Sequence, residues 1–329
     1  MGSDSVKYKP GESVTCRIKA PEPGGYLVEI LPSGIEGFLP SQEPIELGRQ
    51  VPGTFVCMSN GRALMAYAFM IGTTERVQLS TASDSETAFA VWADSYPRTV
   101  RLRRAVDLFM PPFASVPSVR RVKGKDALRL IDTWERGKFT GCIKVAAQQR
   151  LSRSACLYYN GRAVGSVYTK KPVVDPFPVE MALEQMMDDL QTTETQIESY
   201  DLPSDLVLSM SSMFLGVLVQ RPEDSTTPNF EFANELIEQF AQRKETACIT
   251  LNDASQQSLC GLVFISDGLF KGAYSIEERR FRSDREYLEE LFDKFLSAKI
   301  EAYMLPEVLM TSEVKFGYAL TGEQFRHKH

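Results

Sequence analysis

Through the first seventy residues, apolar and polar positions alternate in short runs. Val14-Thr15-Cys16-Arg17-Ile18-Lys19 has a strict period of two, the spacing of a half-buried strand. Further β-rich runs cover 25–31, 35–39, 53–58 and 62–69. They are punctuated by turn signals at Pro23-Gly24-Gly25, Pro32-Ser33-Gly34 and Ser59-Asn60-Gly61. Five short strands in about sixty residues predict a closed or nearly closed barrel. A helix is expected near Ser85 to Tyr96. Beyond it, Thr99-Val100-Arg101-Leu102-Arg103 alternates with arginines on one face of an extended segment, before the proline-rich Met110-Pro111-Pro112-Phe113.

The rest of the chain matches itself. Leu130-Ile131-Asp132-Thr133-Trp134 lines up with Leu236-Ile237-Glu238-Gln239-Phe240, and Thr140-Gly141-Cys142-Ile143 with Thr246-Ala247-Cys248-Ile249. Downstream, Leu157 to Gly165, which contains Asn160-Gly161, pairs with Phe264 to Gly272, which contains Asp267-Gly268. Ile197-Glu198-Ser199-Tyr200-Asp201-Leu202-Pro203 pairs with Ile300-Glu301-Ala302-Tyr303-Met304-Leu305-Pro306. Each copy reads as helix, strand, hairpin, helix, strand and a final helical stretch. The two Asx-Gly pairs supply the positive φ that a tight type I′ turn needs. Leu183, Met186, Met187 and Leu190, mirrored by Leu288, Leu291, Phe292 and Phe295, form an apolar stripe that should pack on a sheet. The two shared Ile-Glu-x-Tyr-x-Leu-Pro strands are the expected contact between the copies, with Arg221 to Asn229 as the linker.

Two resemblances follow. Gly11-Glu12-Ser13-Val14, Gly25-Tyr26-Leu27-Val28, Gly34-Ile35-Glu36-Gly37-Phe38-Leu39-Pro40-Ser41, Gly48 and Val51 together resemble the S-one-type OB-fold repeat of the largest small-subunit ribosomal protein, over residues 8–70. That resemblance implies stacking of single-stranded RNA bases on Tyr26 and Phe38, with Arg62 meeting the backbone. The duplicated pattern is similar to PATAN-type modules, bacterial domains associated with signalling and scaffolding, which imply no functional residues here. The expected fold class is therefore mixed: an N-terminal all-β OB barrel plus two α+β modules related by internal duplication. Its boundaries are 1–75 for the barrel, 76–125 for a basic connector, 126–221 for the first module, and 222–329 for linker, second module and polar tail.

Composition sharpens this. At 43% hydrophobic and 24% charged residues the chain is of globular type. It carries no run long enough to span a bilayer and no signal region at its start, so a cytoplasmic protein without membrane insertion is expected. The net charge of −6 is uneven: residues 96–150 carry 13 basic and 4 acidic groups, while the flanking regions are acidic. Arg101, Arg103, Arg104, Arg120, Arg121, Lys123 and Lys125 are the densest part, suited either to a phosphate chain or to pairing with the acidic flanks.

Six scattered cysteines without a Cys-x-x-Cys pair point to buried free thiols, not to a metal site or a disulfide framework. The only histidines, His327 and His329, lie in the tail. Gly124-Lys125-Asp126 lacks the flanking residues of a phosphate-binding loop, and Asp188-Asp189 and Glu289-Glu290 read as solvated acids on exposed helix faces. No catalytic residue, cofactor or metal is expected. The sequence points to an adaptor that contacts single-stranded RNA or the ribosome through barrel and connector, and protein through its modules. A purely protein-binding scaffold is the alternative.

Overall fold

The structure, a computed structural model, describes residues 8–67, 84–95, 116–171, 177–219, 227–253, 258–311, 314–322 and 325. In chain order, β1 (Ser13–Glu22), β2 (Gly25–Leu31), β3 (Ile35–Pro40), β4 (Gln50–Ser59) and β5 (Arg62–Tyr67) precede α1 (Asp84–Ser95). Next come β6 (Ser118–Val122), α2 (Lys125–Arg136), β7 (Gly141–Ala147), β8 (Ser152–Tyr159), β9 (Arg162–Lys170), α3 (Val179–Thr192), β10 (Thr195–Asp201), α4 (Ser204–Leu215) and β11 (Val217–Val219). The last stretch holds α5 (Asn229–Arg243), β12 (Thr246–Asp253), β13 (Ser258–Ser266), β14 (Leu269–Ser275), β15 (Arg280–Arg282), α6 (Arg285–Lys294) and β16 (Lys299–Leu305). These elements gather into two compact units. One comprises Met1–Pro97, Val217–Gln220 and Pro306–Phe316; the other comprises Arg98–Gly216, Arg221–Leu305 and Gly317–His329.

In the first unit, alternation along the five strands drives Cys16, Ile18, Val28, Ile30, Leu39 and Met65 inward as one core. The strands close in the order β1-β2-β3-β5-β4, the closure being antiparallel between β1 and β4 and parallel between β3 and β5. This is an OB-like barrel, as the sequence predicts. Asn60 and Gly61 take φ of 51° and 79° in the β4–β5 hairpin, which explains why that turn is written Asn-Gly. Outside the barrel, α1 lies on β4 and β5 and buries Phe89 and Trp92. A 3-10 turn at Glu307–Met310 packs on the same two strands, and the Phe316 ring meets Phe89 edge-on at 5.9 Å. Each copy's last stretch was expected to be helical, yet here it is this short turn. After Met310 the sequence turns polar, Thr311-Ser312-Glu313, and offers no apolar stripe to extend a helix.

In the second unit, one sheet runs β6-β10-β7-β8-β9, and the other contains β16-β12-β13-β14-β15. The two are built alike in detail. Lys138 and Lys244, just past α2 and α5, both take left-handed φ (52° and 55°), and the N–H groups of Phe139 and Glu245 return to the carbonyls of Trp134 and Phe240, both at 2.9 Å. The next residue in each is a threonine whose hydroxyl accepts the hairpin N–H: Asn160 to Thr140 at 3.0 Å, Asp267 to Thr246 at 3.2 Å. The hairpins turn at Asn160-Gly161 and Asp267-Gly268, all with positive φ, and the bulges after them fall between Leu157 and Tyr158 and between Phe264 and Ile265.

Contact between the sheets runs through α4, which packs on β8 and β9 of one and on β12, β13 and β16 of the other. The expected contact strands are placed differently, since β10 lies inside its sheet between β6 and β7. A Cβ on Gly165 would sit 2.4 Å from the Phe214 ring, so the close approach of α4 requires glycine there. The Ser209 hydroxyl donates to Ala247 O at 2.6 Å and accepts from Ile265 N at 3.1 Å, satisfying two buried backbone groups at once. Finally, residues 317–322 and Phe325 lie on the first sheet's module. Tyr318 and Ala163 of β9 exchange backbone hydrogen bonds at 2.8 and 2.9 Å, and Leu320 is fully buried.

Candidate nucleic-acid interface

The residues expected to contact RNA fall into two groups with different surroundings. In the barrel, Ile30 lies opposite Ile35 across the β2–β3 turn, so Tyr26 falls opposite Leu39 and Phe38 opposite Leu27. Opposed residues share a face of the pleat, which puts Tyr26 and Phe38 on opposite faces of this ladder. Tyr26 packs against the interior cluster that includes Leu39, and its hydroxyl accepts the Ile45 N–H at 2.8 Å. Phe38 is only 6% exposed, and the Arg62 guanidinium lies 5.9 Å from its ring centroid. Arg62 is itself ion-paired with Glu22. The structure thus brings Arg62 to Phe38 but does not assemble Tyr26 and Phe38 into one stacking platform. Two further cations on β1, Arg17 and Lys19, both reach Glu29, at 3.4 and 3.0 Å.

The basic segment presents its charge differently. Arg101, Arg103 and Arg104 lie outside the described residues. Arg120 and Arg121 are on β6, an edge strand that pairs through Ile197 and Gln196 of β10; Lys123 follows the strand and Lys125 opens α2. All four side chains are exposed, and among the described residues none of them forms an ion pair. Arg120 and Arg121 project to opposite faces of the sheet, so the positive charge wraps around its rim. Val116 and Val119, exposed at 96% and 55%, are the large apolar side chains beside them.

Other groups with chemical potential are accounted for by packing. None of the six cysteines is in a disulfide, and five are buried. Burial pushes the Cys16 and Cys142 thiols up to about 12 and the half-buried Cys260 up to about 11, away from the thiolate form a nucleophile needs. The acids of α3 are not solvated as expected. Asp189 is buried, accepting from Ser152 Oγ at 2.5 Å and from Arg150 at 3.1 Å, while Asp188 pairs with the same arginine. Those donors let a carboxylate leave water at the margin of the apolar stripe. Glu289 and Glu290 do face solvent, and His327 and His329 lie outside the described residues. Among the described residues no group of three or more His, Cys, Asp or Glu is placed to hold a metal ion, and no described helix is long and apolar enough to cross a membrane.

Sequence reasoning missed the groove that holds residues 317–322 and Phe325. Arg162 Nε donates to Gly317 O at 2.8 Å, Thr321 N donates to Glu135 Oε1 at 3.1 Å, and Gln191 donates to Phe325 O at 3.2 Å. Only the close approach of Gly317 left a mark in the sequence. With φ of +100°, a Cβ there would lie 2.9 Å from Arg162 and Val164.

The class defined by this architecture is a mixed α/β protein with an OB-like barrel and two sheet-and-helix modules. No protein-family model matches the chain, and no curated protein matches it in sequence.

Proposed function

We propose that this protein is a non-catalytic, RNA-associated adaptor that holds a phosphate backbone on the rim of β6 and the basic segment before it, and that uses its α/β modules for protein contacts. The observation that carries the reading is the set of four exposed cations, Arg120, Arg121, Lys123 and Lys125, without an ion pair among the described residues. Cations already held by carboxylates gain little from a phosphate, whereas unpaired ones release condensed counterions when they meet it. Acidic composition elsewhere would confine binding to this rim.

We read the two modules as copies of one ancestral unit, PATAN-like in pattern. Support comes from the matched left-handed lysines, threonine acceptors, Asx-Gly hairpins and bulges, features that packing alone does not force to recur together. The S-one-type assignment of the barrel is likewise our reading, resting on its strand order and the Gly-Tyr-Leu-Val and Gly-Ile-Glu-Gly-Phe runs.

The test is a titration of the full chain with generic single-stranded RNA over a range of salt. The log of the affinity should fall linearly with log salt, by about 0.7 per phosphate contact. Binding that is absent at low salt, or insensitive to salt, would sink the reading. The covered Phe38 and the paired barrel cations favour a second reading, a purely protein-binding scaffold; under it, partner capture by the full chain persists after nuclease treatment and no RNA binds.

A further inference from the structure

The groove filled by residues 317–322 and Phe325 has a counterpart on the second module, and its surface is different. In the first module three elements build it: Glu135 near the end of α2, the edge of β9 at Arg162 and Ala163, and Gln191 near the end of α3. A Cβ on Gly161 would lie 2.9 Å from Glu135 Cα, and one on Gly268 would lie 2.8 Å from Ala241 Cα, so Ala241 stands where Glu135 stands. Ala163 lies opposite Tyr158 just past its bulge, as Phe270 lies opposite Ile265 just past the matching one. Leu269 therefore takes the place of Arg162. Gln191 follows Leu190 of the α3 stripe as Leu296 follows Phe295 after α6.

Counted along the sequence, each polar residue that holds the segment in the first module thus has an apolar counterpart in the second. Leu269 and Leu296 are exposed, at 60% and 75%. The edge strand β15 pairs with β14 only at Ala273, Tyr274 and Ser275, which leaves the β14 edge at Leu269 and Phe270 outside that ladder. By the shared register, the backbone N–H and C=O of Phe270 are directed to that open edge, as those of Ala163 are directed to Tyr318.

We propose that this second groove is a docking site for an extended, apolar segment of a protein partner, added as a short strand at Phe270 with its side chains against Leu269 and Leu296. The occupied groove supplies the argument, because the same backbone frame already seats a chain in this way. The change from Glu135, Arg162 and Gln191 to Ala241, Leu269 and Leu296 sets the ligand's chemistry. A segment keyed by a threonine hydroxyl on a carboxylate would gain nothing here, and one with an aliphatic residue at that position would bury it. The inference rests on reading the modules as copies that contact protein.

The experiment uses the full chain and a fluorescein-labelled peptide with the sequence of residues 317–325 carrying Thr321→Val, followed by fluorescence anisotropy. Saturable binding is expected, weakened at least tenfold by Leu269→Glu with Leu296→Glu and unchanged by Glu135→Gln. Leu269→Gln with Leu296→Gln provides a second, uncharged pair, and circular dichroism checks the fold. Binding lost only in Glu135→Gln would mean that the peptide exchanges with the chain's own segment; it would overturn the second groove while leaving a peptide-binding module. No binding in any arm, or binding indifferent to both leucine pairs, overturns the proposal; the reading of the modules as copies rests on their matched turns and stands apart from it. The RNA titration uses none of these residues, so the nucleic-acid reading fails or stands separately.

Discussion

The barrel and the rim of β6 both carry cations, but Arg17, Lys19 and Arg62 of the barrel are spoken for. Arg17 and Lys19 share Glu29, and Arg62 pairs with Glu22 while lying over Phe38. Arg120, Arg121, Lys123 and Lys125 are exposed and, among the described residues, without an ion pair. Local charge neutrality is worth little to stability at a surface but decides whether a polyanion finds anything to bind. A fold-level likeness to RNA-binding barrels is therefore a weaker guide to the interface than the state of each cation.

Four variants sharpen that contrast. The largest effect is expected from Phe38→Ala, which removes a buried ring and should cost about 3–5 kcal/mol in chemical unfolding. Its folded fraction should keep full RNA affinity; a loss of affinity without loss of stability would restore the stacking role. Next, reversing Arg120, Arg121, Lys123 and Lys125 to Glu should weaken RNA binding on the order of a hundredfold at low salt. It should also flatten the salt slope by about 3, since each lost contact removes about 0.7. An unchanged slope would move the interface off this rim.

A smaller change is expected from Tyr26→Phe, which deletes the acceptor of the Ile45 N–H and should cost about 1 kcal/mol of stability with no effect on RNA. The smallest is a gain. Glu29→Gln frees Arg17 and Lys19, and RNA affinity should rise by about threefold if charge is what the barrel lacks. No gain, measured in the same titration, would show that the barrel face is unsuited on other grounds.

Features set by near neighbours were legible in the sequence. Period-two alternation located the barrel strands within a few residues, and the Asn-Gly and Asp-Gly pairs marked hairpins because positive φ leaves few alternatives. The parity of Tyr26 and Phe38 was legible too. Counting out from the Pro32-Ser33-Gly34 turn places Tyr26 opposite Leu39, a step that family likeness alone passes over. What stayed hidden depends on distant partners. Asp189 reads as a surface acid until Ser152 and Arg150 are brought to it, and Glu135 as a solvated helix residue until Thr321 arrives. Side-chain pattern reports which face is apolar, not which remote donor will make a buried charge tolerable.

The way the barrel's outer layer is assembled has a consequence for synthesis. The fully buried Leu309, on the turn that packs against β4 and β5, and Phe316, whose ring meets Phe89, belong to a stretch that follows both α/β modules in the chain. A ribosome making this protein releases the five barrel strands well before this covering stretch, with both α/β modules in between. Throughout that interval the nascent barrel carries an apolar flank that its own sequence has yet to supply. Contacts so far apart in the chain close late and slowly. Whatever shields β4 and β5 in the meantime governs how much of the protein reaches its native state.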